Sequence, residues 1–452
     1  VSISQKTEEN LATLHERPVE LLRNLIRFDT TNPPGNEAAC IRYINNVFTD
    51  AGFETTILAS SSSRANLVTR LAGQGHAPPL LIYGHLDVVT TENQNWTYPP
   101  FEATMADGYV WGRGTLDMKG GVAMMMAALL RAKAKGLAPP GDVVLAVVSD
   151  EEAGGDYGAR YLVENHAELF DGIRYAIGEA GGFSLHIGGS TVYPIMVAEK
   201  QMCWMKATVR GEGGHGSMPV KGQAMAKLAQ VLQRLDRHRL PVHVTQPTRQ
   251  MIESVSSVLP TFQRLLFRQL LNPALTDRIL GLMGLMGPMG ELMDPLLHNT
   301  VSPTVLRGST KTNVIPSQAT VELDGRLLPG FTADDMRSEL HALLGDEAEL
   351  TVIRYEPGPP EPDMGMFDTL ADILREADPG STPGPLVLSA VTDARHFSRL
   401  GIQTYGFTPM KMPPELSFWR LAHAANERIP VDSLEFGIEA IYKLLQRFGE
   451  AC

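Results

Sequence analysis

The chain has 452 residues, 43% hydrophobic and 20% charged, with a formal net charge of −12. That length exceeds one ordinary core, so it implies two domains or one domain with a large insertion, and the composition excludes a disordered chain. The acidic balance, unopposed by any basic arm, excludes general binding to nucleic acid or anionic membranes.

In chain order, the opening VSISQKTEEN lacks a basic segment followed by an apolar one, so no signal peptide is expected. Residues 18 to 28, PVELLRNLIRF, repeat apolar positions at helical spacing and stop at Asn32-Pro33-Pro34-Gly35. Ile41 to Gly52 reads as a second helix. Leu80 to Tyr83 and Val143 to Val148 are apolar runs of buried-strand type, and Tyr175 to Ile177 is a shorter one. Between them, Met118 to Lys135 and Ala159 to Leu169 read as helices. This alternation predicts an α/β layer with a mostly parallel sheet flanked by helices.

The pattern changes near residue 200. Met202 to Val209 and Val321 to Leu327 alternate as strands, with a helix over Gln223 to Leu235. These predict an α+β unit inserted into the first domain. After residue 330 the earlier alternation resumes, with Gln403 to Phe407 a strand and Val431 to Phe448 the closing helix. The expected domains are 1–200 and 330–452 for the catalytic part and 201–329 for the insertion. Residues 250 to 300 are rich in Leu, Met, Gly and Pro. They read as a helical excursion packed on the insertion or a dimer partner, or as a greasy wall for an apolar substrate. Membrane contact is disfavoured, because Gly and Pro interrupt the run without a basic flank. No run of about 18 apolar residues predicts a membrane span. Cys40, Cys203 and Cys452 are widely spaced with no C-x-x-C, so a reducing cytoplasm is expected and no disulfide framework.

Five short motifs carry chemistry. Tyr83-Gly84-His85-Leu86-Asp87 follows an apolar strand, where ligands gather in open α/β sheets; His85 can bind a metal while Asp87 holds its other ring nitrogen. Asp117 lies in a glycine-bracketed turn before a helix. Asp150-Glu151-Glu152 and Glu179 follow further strands, and His423 opens His423-Ala424-Ala425-Asn426-Glu427. Each has a plainer reading alone: a surface His–Asp pair, a helix cap at Asp117, a solvated acidic turn. Together they form an imidazole and carboxylate set suited to two divalent ions of zinc type. A spare acid beside a ligand can act as general base. A competing pattern, Gly211-Glu212-Gly213-Gly214-His215-Gly216 with Asp236 downstream, fits a dinucleotide fingerprint, although Pro219 and the histidine suit it poorly. No G-x-S-x-G, H-E-x-x-H or P-loop is present.

From Asp29-Thr30-Thr31-Asn32-Pro33-Pro34-Gly35 to the His423 motif, the chain resembles the di-zinc aminoacylase and carboxypeptidase family. That family includes acetylornithine deacetylase, succinyl-diaminopimelate desuccinylase, bacterial glutamate carboxypeptidase and a carboxypeptidase S-like branch. The resemblance implies that Asp117 bridges two metals through a cis peptide to Met118, and that Asp87 orients His85. His85 and Glu179 would hold one metal, Glu152 and His423 the other, with Glu151 as general base. The metal implied is zinc, with cobalt or manganese acceptable to the same ligands. The insertion would be a lid that makes a homodimer. His215 would reach the partner's site as an oxyanion donor, and Asn313 and Arg326 would grip a substrate carboxylate. Taken alone, His215 reads equally as a loop histidine and Arg326 as a surface charge. Many relatives carry Gly-Gly-Thr-Asp-Ala late in the chain; here the run is Ser389-Ala390-Val391-Thr392-Asp393-Ala394, with Thr392 a substrate-binding candidate. The implied reaction is amide hydrolysis beside a free carboxylate. Residues 250 to 300 resemble the carboxypeptidase S and N-fatty-acyl amino acid hydrolase branch, which favours N-acyl amino acids or short peptides with an apolar acyl side. The alternatives are a small charged N-acyl amino acid as substrate, or a catalytically inactive binding or scaffold protein.

Overall fold

The computed structural model describes residues 11–286, 289–359 and 361–451. The opening VSISQKTEEN and Cys452 lie outside them, as does part of the Leu/Met-rich run. The apolar runs form the heart of a mixed sheet, nine-stranded among the described residues. Leu80–His85 and Val143–Val148 are buried at every position, the burial that near-continuous apolar strands require. Leu80–His85 runs parallel to Val143–Val148 and to Tyr175–Gly178, which in turn runs parallel to Gln403–Gly406. Antiparallel strands flank this core: Ala65–Leu71 and Thr55–Ala59 on one side, Ser190–Glu199 on the other. Helix Lys119–Ala134 packs against Pro18–Ile26 and Val431–Arg447. It is buried almost all round, which explains its Met- and Ala-rich sequence. This architecture puts the carboxyl ends of three parallel strands at His85, Val148 and Gly178, next to the acidic motifs.

The chain divides into two compact units. One comprises residues 1–197, 363–386 and 392–452; the other comprises Ala198–Pro362 with Val387–Val391. The second unit therefore runs past the expected boundary at residue 329. The physical reason is strand pairing: Ala348–Glu356 lies antiparallel to Gln201–Arg210 and closes a sheet with Thr300–Arg307 and Gln318–Leu327. Helix Ala333–Leu344, started by a Thr332–Asp335 capping box, buries Met336, Leu340 and Leu344 in the same core. Gln201–Arg210 is antiparallel to both neighbours, so the glycine run after it opens no βαβ unit and the dinucleotide reading fails. Past residue 245 the described residues are mainly helical, with Gln246–Val258, Thr261–Arg268 and Pro273–Met286 as the main pieces. No helix among the described residues is long and apolar enough to cross a membrane.

Candidate metal centre

The strand ends supply the side chains. His85 is the last residue of its strand and is buried. Its Nδ1 lies 2.9 Å from the Asp87 carbonyl oxygen and 3.6 Å from Asp87 Oδ1. Asp87 thus orients the ring mainly through its backbone. Its carboxylate also holds a neighbouring turn, because Oδ1 accepts from the Glu151 N–H and Oδ2 from the Glu152 N–H, each at 3.0 Å. The turn that bears the two glutamates begins at Asp150, whose φ of +73° is rare outside glycine. His423 and Ala180, beside Glu179, share that left-handed backbone, at +65° and +68°. Such clustering of uncommon backbone is typical of functional sites.

Asp117 precedes a cis peptide to Met118, as the resemblance implied. Its backbone is set by Glu427, fully buried, which accepts from Leu116 N, Asp117 N and Gly114 N at 2.7, 3.2 and 3.1 Å. Glu427 also pairs with Arg113 at 2.6 Å, and Arg113 donates to the His423 carbonyl at 3.0 Å. One buried pair therefore ties the Asp117 turn to the His423 loop. Neither residue was assigned a role from sequence, although Glu427 closes the His423 motif and Arg113 stands four residues before Asp117.

Two groups result, His85 with Asp117 and Glu179, and Asp117 with Glu152 and His423. Asp117 belongs to both. Its Oδ1 is 3.2 Å from His85 Nε2 and its Oδ2 is 3.0 Å from His423 Nε2. Glu179 Oε2 lies 3.5 Å from His85 Nε2, and Glu152 Oε1 3.3 Å from His423 Nε2. The electrostatics are those of a crowded acid cluster. Burial, then the Glu179 charge, pushes Glu151 well above the usual carboxylate range. Burial and then Asp117 raise Glu152 to about 7, against the hydrogen bond from His423. Hydrogen bonds to Asp117 and Glu152 raise His423 to about 10. For Asp117 burial acts upward, but the hydrogen bonds from His423 and His85 outweigh it and lower the group. The donor set fits a divalent ion: two imidazoles, three carboxylates, and a buried Glu179 Oε1 with no hydrogen-bond partner among the described residues.

Glu151 shares its turn with Glu152, and Arg395 Nη1 stands 4.0 Å from its Oε1. Thr392 is buried, and its hydroxyl accepts from Ala394 N at 3.1 Å, closing its own turn. In the second unit, His215 pairs with Val314 in a short ladder, and Gly216 N donates to Asn313 O at 2.8 Å. This brings Asn313 against Gly216, the neighbour of His215, and His215 is exposed with its Nδ1 2.7 Å from Ser217 Oγ. Arg326 is paired with Asp324 two residues earlier, at 2.8 Å.

A family model described as Peptidase family M20/M25/M40 matches residues 81–447. The chain is 27% identical over 446 residues to the Xenopus tropicalis N-fatty-acyl-amino acid synthase/hydrolase PM20D1, covering 95% of this chain and 85% of that one. It is 24% identical over 448 residues to mouse (Mus musculus) Aminoacylase-1, covering 94% of each. Among solved structures, the M20 family metallo-carboxypeptidase Sso-CP2 from Sulfolobus solfataricus superposes with a TM-score of 0.69 at 17% identity, covering 96% of this chain and 99% of that one.

Proposed function

Because the chain belongs to peptidase family M20/M25/M40, metal-dependent hydrolases of amide and peptide bonds, we propose that it cleaves N-acyl amino acids or short peptides that carry an apolar acyl side and a free carboxylate. The observation that carries this reading is the pair of ligand groups sharing Asp117, with Glu151 on the same turn as Glu152. His85, Asp117 and Glu179 would hold one divalent ion and Asp117, Glu152 and His423 the other, zinc being the metal proposed. Bound there, the ions would lower the pKa of a water and polarise the scissile carbonyl. Glu151 takes the proton of the attacking water and returns it to the leaving nitrogen. Asp87 keeps the Glu151–Glu152 turn and the His85 ring in register.

The second unit is proposed as a lid that makes a homodimer. His215 of one subunit would donate to the oxyanion forming in its partner. Asn313 and Arg326 would hold the substrate carboxylate, with Thr392 a further substrate contact. The apolar acyl preference is supported by the exposed Phe262, Leu265, Leu282 and Leu285 on the helices of residues 246–296 and by the likeness to the N-fatty-acyl-amino acid synthase/hydrolase. Hydrolysis of an N-acyl amino acid series of rising chain length tests it. We expect kcat/KM to climb with acyl length. Cleavage confined to acetyl or charged acyl groups would reject the preference while leaving the reaction class intact.

A further inference from the structure

The segment Asp29 to Gly35 has no part in the mechanism above, yet it is laid along the residues that follow His85. Asn32 N donates to Val88 O at 2.9 Å, and Thr30 Oγ1 donates to Leu86 O at 2.6 Å. Asn32 is buried, and its side-chain amide donates twice: to Asp87 Oδ2 at 2.8 Å and to Asp150 Oδ1 at 3.0 Å. Arg64, also buried, reaches the same place from the position just before strand Ala65–Leu71. Its Nη2 donates to Asp150 Oδ1 at 2.6 Å, its Nε to Glu37 Oε2 at 2.9 Å and its Nη1 to Pro34 O at 3.1 Å. The second oxygen of Asp150 accepts from Tyr157 N at 3.0 Å, and the guanidinium lies over the Tyr157 ring. Gly35, at φ +78°, makes room, since a Cβ there would collide with the Arg64 guanidinium.

We infer that Asn32 and Arg64 are positioning residues, a clamp that fixes the turn carrying Glu151 and Glu152. Asp87 and Asp150 are the two acids that bracket this turn, one through its N–H groups and one as the residue that starts it. Two like charges so close would push apart. The Asn32 amide joins them and the Arg64 charge offsets them, so the two carboxylates can share the space and keep the turn in one shape. Glu151 then faces the reacting water and Glu152 the cation from one fixed frame. Without that amide each of the two buried carboxylates would lose a donor, which costs a buried network both stability and a fixed shape.

The inference rests on Glu151 and Glu152 acting as proposed above. The test compares wild type with Asn32→Leu, which keeps size but removes both donors, and Arg64→Lys, which keeps charge but cannot reach three acceptors at once. Each folded protein is titrated with a chelator and its retained metal measured, alongside kcat, KM and melting temperature. We expect Asn32→Leu to lower kcat about 10–100-fold with KM within about twofold, and to release metal at a chelator concentration lower by a similar factor. Arg64→Lys should shift the same quantities in the same direction, less far, and decides the matter if Asn32→Leu does not fold. A lower melting temperature with unchanged kcat and chelator midpoint in both variants would overturn the clamp. A wild type that binds no metal would overturn the reading beneath it and the clamp together.

Discussion

Asp117 gives one oxygen to each histidine, and that division explains why its neighbours must be held so firmly. Glu427 fixes its backbone, Asp87 fixes that of Glu151 and Glu152, and the reacting groups are left with few ways to move. Glu151→Gln keeps the side chain's shape and removes its proton chemistry. We expect turnover to fall about 10²–10⁴-fold while metal content stays as in wild type, measured by steady-state kinetics and elemental analysis. Near-normal turnover would sink the assignment. The fold brings His85, Asp117, Glu152, Glu179 and His423 together, and these, like the adjacent Glu151, could be picked out from sequence because each stands in a short motif at a strand end or turn. Arg64, Arg113 and the second use of Asp87 could not, since their partners lie far along the chain, Arg64 to Asp150 and Arg113 to Glu427. A buried pair of this kind leaves no local pattern. Only the fold brings its halves together.

At the scale of elements, the central strands could be read because their burial on both faces demands continuous apolar runs; Val143–Val148 matches its expected bounds at both ends. Among the strands not read from sequence, two share a reason. Ser190–Glu199 contains Pro194 and Thr300–Arg307 contains Pro303, and proline argues against a strand when only sequence is at hand. Thr300–Arg307 is an edge strand with a register shift between Pro303 and Val305, a place where the missing N–H is tolerated. Next to this strand Lys200 is buried, donating to His298 O and Thr300 Oγ1, both at 2.9 Å. Burial, then the Arg326 charge, lowers its ammonium to about 7, while Asp294, Asp324 and Glu339 pull upward. An unfolded lysine titrates near about 10.4. Between those values the unfolded chain binds more protons than the folded one, so stability should rise with pH across that window. Below about pH 7 both states are charged and the full cost of burying the ammonium remains. Lys200→Met should flatten the rise. Denaturant midpoints at about pH 7 and about pH 9.5, compared between the two proteins, check this; equal slopes would refute it.

For the whole molecule, the division into two units was signalled by the change of pattern near residue 200. The far boundary was hidden, because the last strand of the second sheet, Ala348–Glu356, comes after an intervening helix and pairs back across about 140–155 residues. If the second unit builds the homodimer and lends His215 to the partner, His215→Ala should cut kcat about 10²–10³-fold with the dimer preserved in sedimentation. An unchanged kcat would remove His215 from the reaction, and a monomer with full activity would remove the dimer from it.

If two divalent ions held around Asp117 drive amide hydrolysis, metal content and activity rise and fall together. The most direct test is elemental analysis of the purified protein, with N-acyl amino acid hydrolysis assayed before chelation, after it, and after zinc is restored. About two metals per chain, with activity lost to the chelator and returned by zinc, is the predicted result. A protein with no metal that gains no activity from added zinc would contradict it.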